Sequence, residues 1–314
     1  MGKFSIVNEN VKKRDNMSGL KRKQLIFYIC VLALPVFQFL VMYVYINFSS
    51  FAMAFQNYDY DLGHYVWNGI ENFKEVFSDF KTETVFRLAL SNSTIVFVLG
   101  LLFGSTGAIL FSYYIFKNYP GSMIFKILLY VPHIVSSVVT VIMYKFFMEI
   151  TIPEIYMLLT GESMQGLIAN AATRKGMIIF FSIWISWGTN VLLYSGTMSS
   201  ISDSVIESGQ LEGITPTKEL LFIVLPLIWP TFVTFMVVSV TGFFTNQIHL
   251  YSFYGPTAPA SLHTFGYYLY AETLIAGFFE YPYLSAMGML MTAVAIPLTL
   301  LVRWLLTRFG PSVE

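Results

Sequence analysis

The sequence predicts an all-α polytopic membrane protein with six transmembrane helices. Charged residues make up only 11% of its 314 positions, less than half of the ~25% usual in a soluble domain. The segments 24–48, 88–116, 123–147, 176–198, 220–250 and 281–306 each reach the ~20 mostly apolar residues that a spanning helix needs. The gaps between them carry turn formers such as Asn118-Tyr119-Pro120-Gly121 and Gly255-Pro256.

The elements follow in order. A basic tail over 1–23 holds Lys12, Lys13, Arg14, Lys21, Arg22 and Lys23. The apolar run behind it is long enough to span and ends in no small-residue cleavage site, so it reads as a retained first helix. An outer segment, about 66–85, contains "GIENFKEVFSDF", where Ile70, Phe73, Phe77 and Phe80 recur at helical spacing. It is expected to lie on the membrane surface as an amphipathic helix. Lys145 and Glu149, four apart at the outer end of the third span, are expected to pair with each other. A short tail, 310–314, closes the permease domain assigned to 24–309. With an even number of spans, twelve Lys/Arg fall on the side of the termini and six on the other. Both termini and the loop at about 199–219 are therefore expected in the cytoplasm.

Several chemistries are excluded. Net charge is zero, which offers nothing to a nucleic acid. The single cysteine, Cys30, permits no disulfide within the chain, and no Cys/His spacing suits a metal. There is no Gly-rich loop ending in Gly-Lys-Ser/Thr to cradle ATP phosphates. The predicted spans are short of ionisable groups at mid-depth, unlike a proton-coupled carrier. The energy for any transport is expected to come from elsewhere.

The loop "SISDSVIESGQLEGITPTKELLFIVLP", 200–226, is unusually regular for a connection between apolar runs. Ser200, Ser202 and Ser204 can cap a helix, and Ser204 with Glu207 has the spacing of a capping box. Ile201, Val205, Ile206 and Leu211 give that helix apolar surface in search of a dock. Asp203 and Glu207, four apart, repel mildly unless a partner supplies a cation. Gly213 suits a left-handed helix end. Thr215 can then cap a second helix that opens on Pro216 and runs into the fifth span. The product is a hook below the membrane, continuous with a span. Proline residues at 226 and 230 permit a kink there, and Pro132 and Pro297 could act likewise.

This hook resembles the EAA loop of binding-protein-dependent ABC importer permeases of the maltose- and glycerol-phosphate-permease-like branch. Glu207, Gly213, Ile223, Leu225 and Pro226 match that pattern, while Ser208 and Gly209 replace two alanines and Glu212 replaces an aspartate. The resemblance covers nearly the whole chain. It includes Leu34-Pro35, "NGIENFKEVFSDF", Asn92, "YVPHIVSSVV", "IWISWGTNVLLYSG" with Trp184, Gly188 and Asn190, and "NQIHLYSFYGP" with Asn246 in place of an Asp. It implies a type I permease architecture with a cytoplasmic coupling helix, in a bacterial or archaeal inner membrane. The subunit would move a sugar, oligosaccharide or related polyol handed over by an extracellular solute-binding protein. Its partners would be a second homologous permease subunit and two cytoplasmic ATPase subunits, which bind the ATP and Mg; this chain would hold no cofactor and perform no catalysis. Asp203, Glu207, Leu211, Glu212, Gly213 and Pro226 would carry the coupling.

Residues for the solute path are read from chemistry. Sugar recognition uses aromatic faces and amide hydrogen bonds. Trp187, Asn190 and Tyr194 lie three and four apart in the fourth span, hence on one face, and Asn246, Gln247 and Tyr251 follow in the fifth. The same amides could instead tie helices together, since a buried amide without a partner is costly. Two other functions fit the pattern in part: an ion-coupled secondary carrier, and a non-transporting anchor or sensor subunit.

Overall fold

In the computed structural model, residues 21–311 are described; the predicted basic tail lies outside them up to residue 20, as do positions 312–314. Among the described residues, five helices are long and apolar enough to cross a membrane, or six if one sharply bent pair is counted as a single span.

An unbroken apolar sequence makes α1 (Lys21–Met53), whose most apolar stretch buries nothing against the rest of the chain. An antiparallel hairpin follows, β1 (Gln56–Asp59) and β2 (His64–Trp67), with Gln56 opposite Trp67 and Asp59 opposite His64. Its turn forms because Asp59 Oδ1 accepts from the amides of Asp61 and Leu62 at 2.9 and 3.1 Å, and Gly63 takes φ +68°. This hairpin qualifies the all-α prediction.

The amphipathic helix appears as α2 (Glu71–Thr82), with its buried stripe rotated from the expected face. Asn72 and Val76 are buried and Phe73 and Phe80 half-buried, whereas Ile70 and Phe77 are exposed. The reason is tertiary: Asn72 Nδ2 donates to the carbonyls of Ala54 and Gln56 at 3.0 and 2.7 Å, clamping α2 to the end of α1. Tyr283 donates to Asp79 at 2.7 Å, so α2 packs on the last span as well as on any membrane surface.

The second span is α3 (Thr84–Phe116), widened by a π turn at Gly100–Ser105. The third differs from its prediction. It is two helices, α4 (Ser122–Ile134) and α5 (Ser137–Thr160), meeting at 109°. Pro132 has no amide to donate to the preceding turn, and Val135 and Ser136 then adopt ψ of 143° and 135°, outside the helix. A π turn at Phe147–Thr151 carries α5 beyond the predicted end. That turn also rotates Glu149 out of register with Lys145, and the expected pair does not form. Lys145 Nζ instead donates to the Phe253 carbonyl at 3.4 Å and lies 5.6 Å over the Tyr254 ring.

The fourth span, α6 (Ala171–Met198), is capped by Asn170, whose side chain accepts from the Ala172 amide. Then come α7 (Asp203–Leu211) and α8, residues 216–227 with a π turn at Leu220–Val224. Ile228 leaves the helix at φ −92°, ψ 6°, and α9 (Trp229–Thr245) begins. The predicted continuous fifth span is thus segmented. Pro230 occupies the first turn of α9, where a missing amide costs nothing, and Pro226 lies in the last turn of α8, just ahead of the break at Ile228. Beyond Thr245 the chain is extended at Asn246, then left-handed at Ile248 and His249, before α10 (Leu250–Tyr254). α11 (Phe265–Ile275) and α12 (Tyr281–Phe309) complete the chain, α12 passing unbroken through Pro297.

Three apolar clusters hold the bundle. One joins α5 and α6 to the segment after α9, one joins α3, α6, α7 and α8, and one joins α2 and α3 to α11 and α12. Asn92 on α3 donates to the carbonyls of Ser261 and His263 at 2.9 and 2.8 Å, fastening the loop ahead of α11. Gly188 lets α6 approach α4: an added Cβ would stand 2.9 Å from the Leu129 carbonyl oxygen and 3.0 Å from His133 Cβ. Gly188→Val is therefore expected to cost about 1–3 kcal/mol. The check is the thermal unfolding midpoint in detergent, which should fall; an unchanged midpoint contradicts the close approach.

Candidate functional site

The hook folds by local chemistry. Ser202 stands at the N-cap position of α7 with extended ψ, its Oγ 2.6 Å from that of Ser204. The helix therefore starts ahead of the predicted capping box, Val205 rather than Glu207 occupies the third helical position, and the box does not form. The C-terminus closes as expected. Gly213 takes φ +75° and donates to the Gln210 carbonyl at 3.0 Å, while Ile214 donates to that of Gly209 at 3.1 Å. Those paired bonds are the Schellman closure. Thr215 then sits at the N-cap position of α8, ahead of Pro216.

α7 has two faces. Ile206 is buried in the cluster that contains Leu220, Val224, Met198 and Tyr113. Gly209 is buried beside it; a Cβ there would lie 2.7 Å from Cδ1 of Ile223. Asp203, Glu207, Leu211 and Glu212 all face outward, and Leu211 is 90% exposed. Val205 and Leu211, expected to supply contacts, make none within this chain that bury them.

A buried polar cluster at the root of the hook was not foreseen from sequence. Glu219, 2% exposed, accepts from Tyr113 Oη at 2.9 Å and from Lys117 Nζ at 2.9 Å (Oε1) and 3.2 Å (Oε2). Lys117 also ends α3, where a cation complements the helix carbonyls. Its sequence signal is slight: one acid at the edge of an apolar run and one lysine 102 positions away.

Higher in the bundle two cavities adjoin. One, about 300 Å³, lies between α3, α6 and α9, walled by the π turn of α3 with Gly100 and Gly104 and by Asn190, Tyr194 and Ser239. The other, about 440 Å³, fills the elbow of α4 and α5 and includes His133, Thr189 and His249. Asn190 and Asn246 line both, so the structure brings these two predicted path residues together. Tyr194 is 1% exposed and its hydroxyl has no hydrogen-bond partner among the described residues, although it lines the smaller cavity. Neither cavity is lined by Lys, Arg, Asp or Glu. Hydroxyls, amides and imidazoles offer the polar contacts, a surface suited to an uncharged, hydroxyl-rich group.

The remaining path residues are elsewhere. Trp187 turns away from the cavities: its Nε1 donates to the Phe103 and Gly104 carbonyls, each at 3.2 Å, which the π turn of α3 presents. It ties helices. Gln247 and Tyr251 line neither cavity, and Tyr251 stacks edge-on against Tyr270 at 5.2 Å. The Asn246 side chain is partly committed, its Oδ1 accepting from the Ile248 amide at 2.8 Å.

A family model for the binding-protein-dependent transport system inner membrane component matches residues 97–314, which include the hook and both cavity-lining spans α6 and α9. The chain belongs to this family. It is thus a multi-pass membrane permease subunit of an ABC importer. Among its relatives, the polygalacturonan/rhamnogalacturonan transport system permease protein YteP of Bacillus subtilis is 25% identical over 92% of each chain. The maltose/maltodextrin permease MalF of Escherichia coli is 26% identical over 59% of this chain, which spans 37% of that longer protein. In overall fold the permease matches a chain from the crystal structure of a bacterial ABC transporter importing the acidic polysaccharide alginate. That match has a TM-score of 0.76 at 21% identity and covers 94% of this chain and 99% of the other.

Trp187 and Tyr194 of α6 predict opposite outcomes. Trp187→Phe removes both bonds to α3 and should lower stability by about 1 kcal/mol, read as a lower denaturation midpoint. Tyr194→Phe removes a hydroxyl that bonds to nothing in the fold, so its midpoint should not fall. A drop for Tyr194→Phe matching that for Trp187→Phe would contradict the assignment.

Proposed function

We propose that this permease moves an oligosaccharide or related polyol inward, handed over by an extracellular solute-binding protein. The other half of the membrane channel is a second homologous permease subunit. Two cytoplasmic ATPase subunits supply the energy by binding ATP and Mg, and the chain's termini and hook face them in the cytoplasm. The observation that carries the coupling is the two-sidedness of α7. Ile206 is committed to this chain's own core, while Asp203, Glu207 and Leu211 are free of it. An exposed leucine beside two carboxylates fits a cleft with an apolar floor and a basic wall. Gly213 sets the turn, Glu212 adds negative charge at it, and Pro226 marks the hook's entry into the bundle.

Solute class follows from the cavities and the relatives. Asn190, Asn246 and Tyr194 present amide and phenol groups beside serine hydroxyls, the donors and acceptors a sugar hydroxyl uses. Relatives named for polygalacturonan, maltodextrin and arabinooligosaccharide transport make glycans the best-supported cargo. A gradient-driven carrier acting alone is disfavoured by the absence of Asp, Glu, Lys and Arg from these cavities, and an anchor subunit gives no role to paired amides lining a cavity.

The test uses the complete assembly in proteoliposomes, offered maltotetraose, arabinotetraose, tetragalacturonate and glycerol phosphate. At least one should raise ATP hydrolysis. Glu207→Ala and Leu211→Asp should each reduce that stimulation by about tenfold, the effect of ~1.4 kcal/mol lost in coupling. Full stimulation in both variants, or uptake by this chain alone under an ion gradient, contradicts the proposal.

A further inference from the structure

The cluster at the root of the hook has a consequence for transmission. Glu219 belongs to the first turn of α8, the arm through which the hook enters the bundle. Its partners Tyr113 and Lys117 are the last turn of α3. Followed upward, α3 leads from Tyr113 to the π turn at Gly100–Ser105, whose Gly100, Leu101, Gly104 and Ser105 wall the smaller cavity. A buried carboxylate is costly to leave unpaired, so as α8 shifts, the lysine and tyrosine are obliged to follow it. We propose that Glu219, Lys117 and Tyr113 form a second transmission link, by which displacement of the hook is delivered to α3 and so to the cavity wall, in parallel with its direct path along α8 and α9. Glu219 is a positioning residue: it faces neither cavity.

Two features favour a link over a static brace. The ion pair sits where the arm of the hook meets the end of α3, beside the apolar cluster that also joins them, and α3 has no covalent continuity with the hook nearer than α4 to α6. Gly100 and Gly104 meanwhile add no side chain to the cavity wall at their two positions of the π turn, leaving Leu101 and Ser105 as the side chains it presents there. Trp187 Nε1, bonded to the Phe103 and Gly104 carbonyls, then carries the movement of that turn to α6 and to Asn190 on its cavity face.

This inference rests on the importer reading above, and the experiment separates the two. In the full assembly, with Cys30→Ser as background, Ser105→Cys reports on the cavity wall through its rate of modification by a cationic methanethiosulfonate. The rate is compared with and without trapping by ATP and vanadate. In the Glu219-containing protein trapping should change it by about fivefold or more, the lower range of ordinary coupling. Glu219→Gln and Lys117→Met should abolish that change while still co-purifying with the ATPase. The exchange Glu219→Lys with Lys117→Glu should restore it, which a loss due to misfolding would not permit. A full trapping response in Glu219→Gln and Lys117→Met, or failure of the exchange to restore it, overturns the link and leaves the importer reading standing. No trapping response in the Glu219-containing protein overturns the importer reading and the link with it.

Discussion

Burial of Ile206 among Leu220, Val224, Met198 and Tyr113 is the contact on which the rest depends. Removing one such side chain from water is worth about 1.5–3 kcal/mol, enough to hold a nine-residue helix that is too short to be stable alone. Because that face is occupied, α7 cannot roll, and Asp203, Glu207 and Leu211 are held outward at a defined angle. The Schellman closure at Gly213 fixes the direction of the second arm. Hook and bundle are consequently packed together at their junction, as the proposed coupling through α8 requires.

Above that junction two irregular stretches of backbone have identifiable partners. In a membrane every amide and carbonyl needs a partner within the protein or a wet cavity. The π turn at Gly100–Ser105 offers carbonyls to Trp187, and the break at Asn246 is satisfied by its own side chain and by Thr264, which donates to its carbonyl at 2.7 Å. Both irregular stretches border the cavities. The two cavities are thus bordered by locally opened helices, and neither is lined by Lys, Arg, Asp or Glu.

The helical class, the number of apolar runs and the hook are legible in the sequence because each depends on local chemistry: run length, a capping serine, a glycine able to take positive φ. The elbow between α4 and α5 is not, since Pro132 is compatible with a continuous helix and only the packing of two apolar arms decides for a 109° bend. Helical spacing groups Trp187 with Asn190 and Tyr194, but which of them meets a cavity depends on where α3 exposes its carbonyls, information held some 84 positions away. The same limit hides Glu219. As a lone acid before an apolar run it looks like a solvated helix end, and its partners belong to a different span. Lys145 and Glu149 fail to pair for a simpler reason, a single widened turn between them.

Whether a partner grips the outward face of the hook can be read at Leu211. With Cys30→Ser as background, a cysteine substituted at position 211 can be alkylated from the hook side in the isolated permease and in the assembly with its ATPase. Alkylation of the isolated chain should be rapid, in keeping with 90% exposure, and strongly suppressed once the ATPase is bound. Equal rates in the two states would mean that nothing grips the hook.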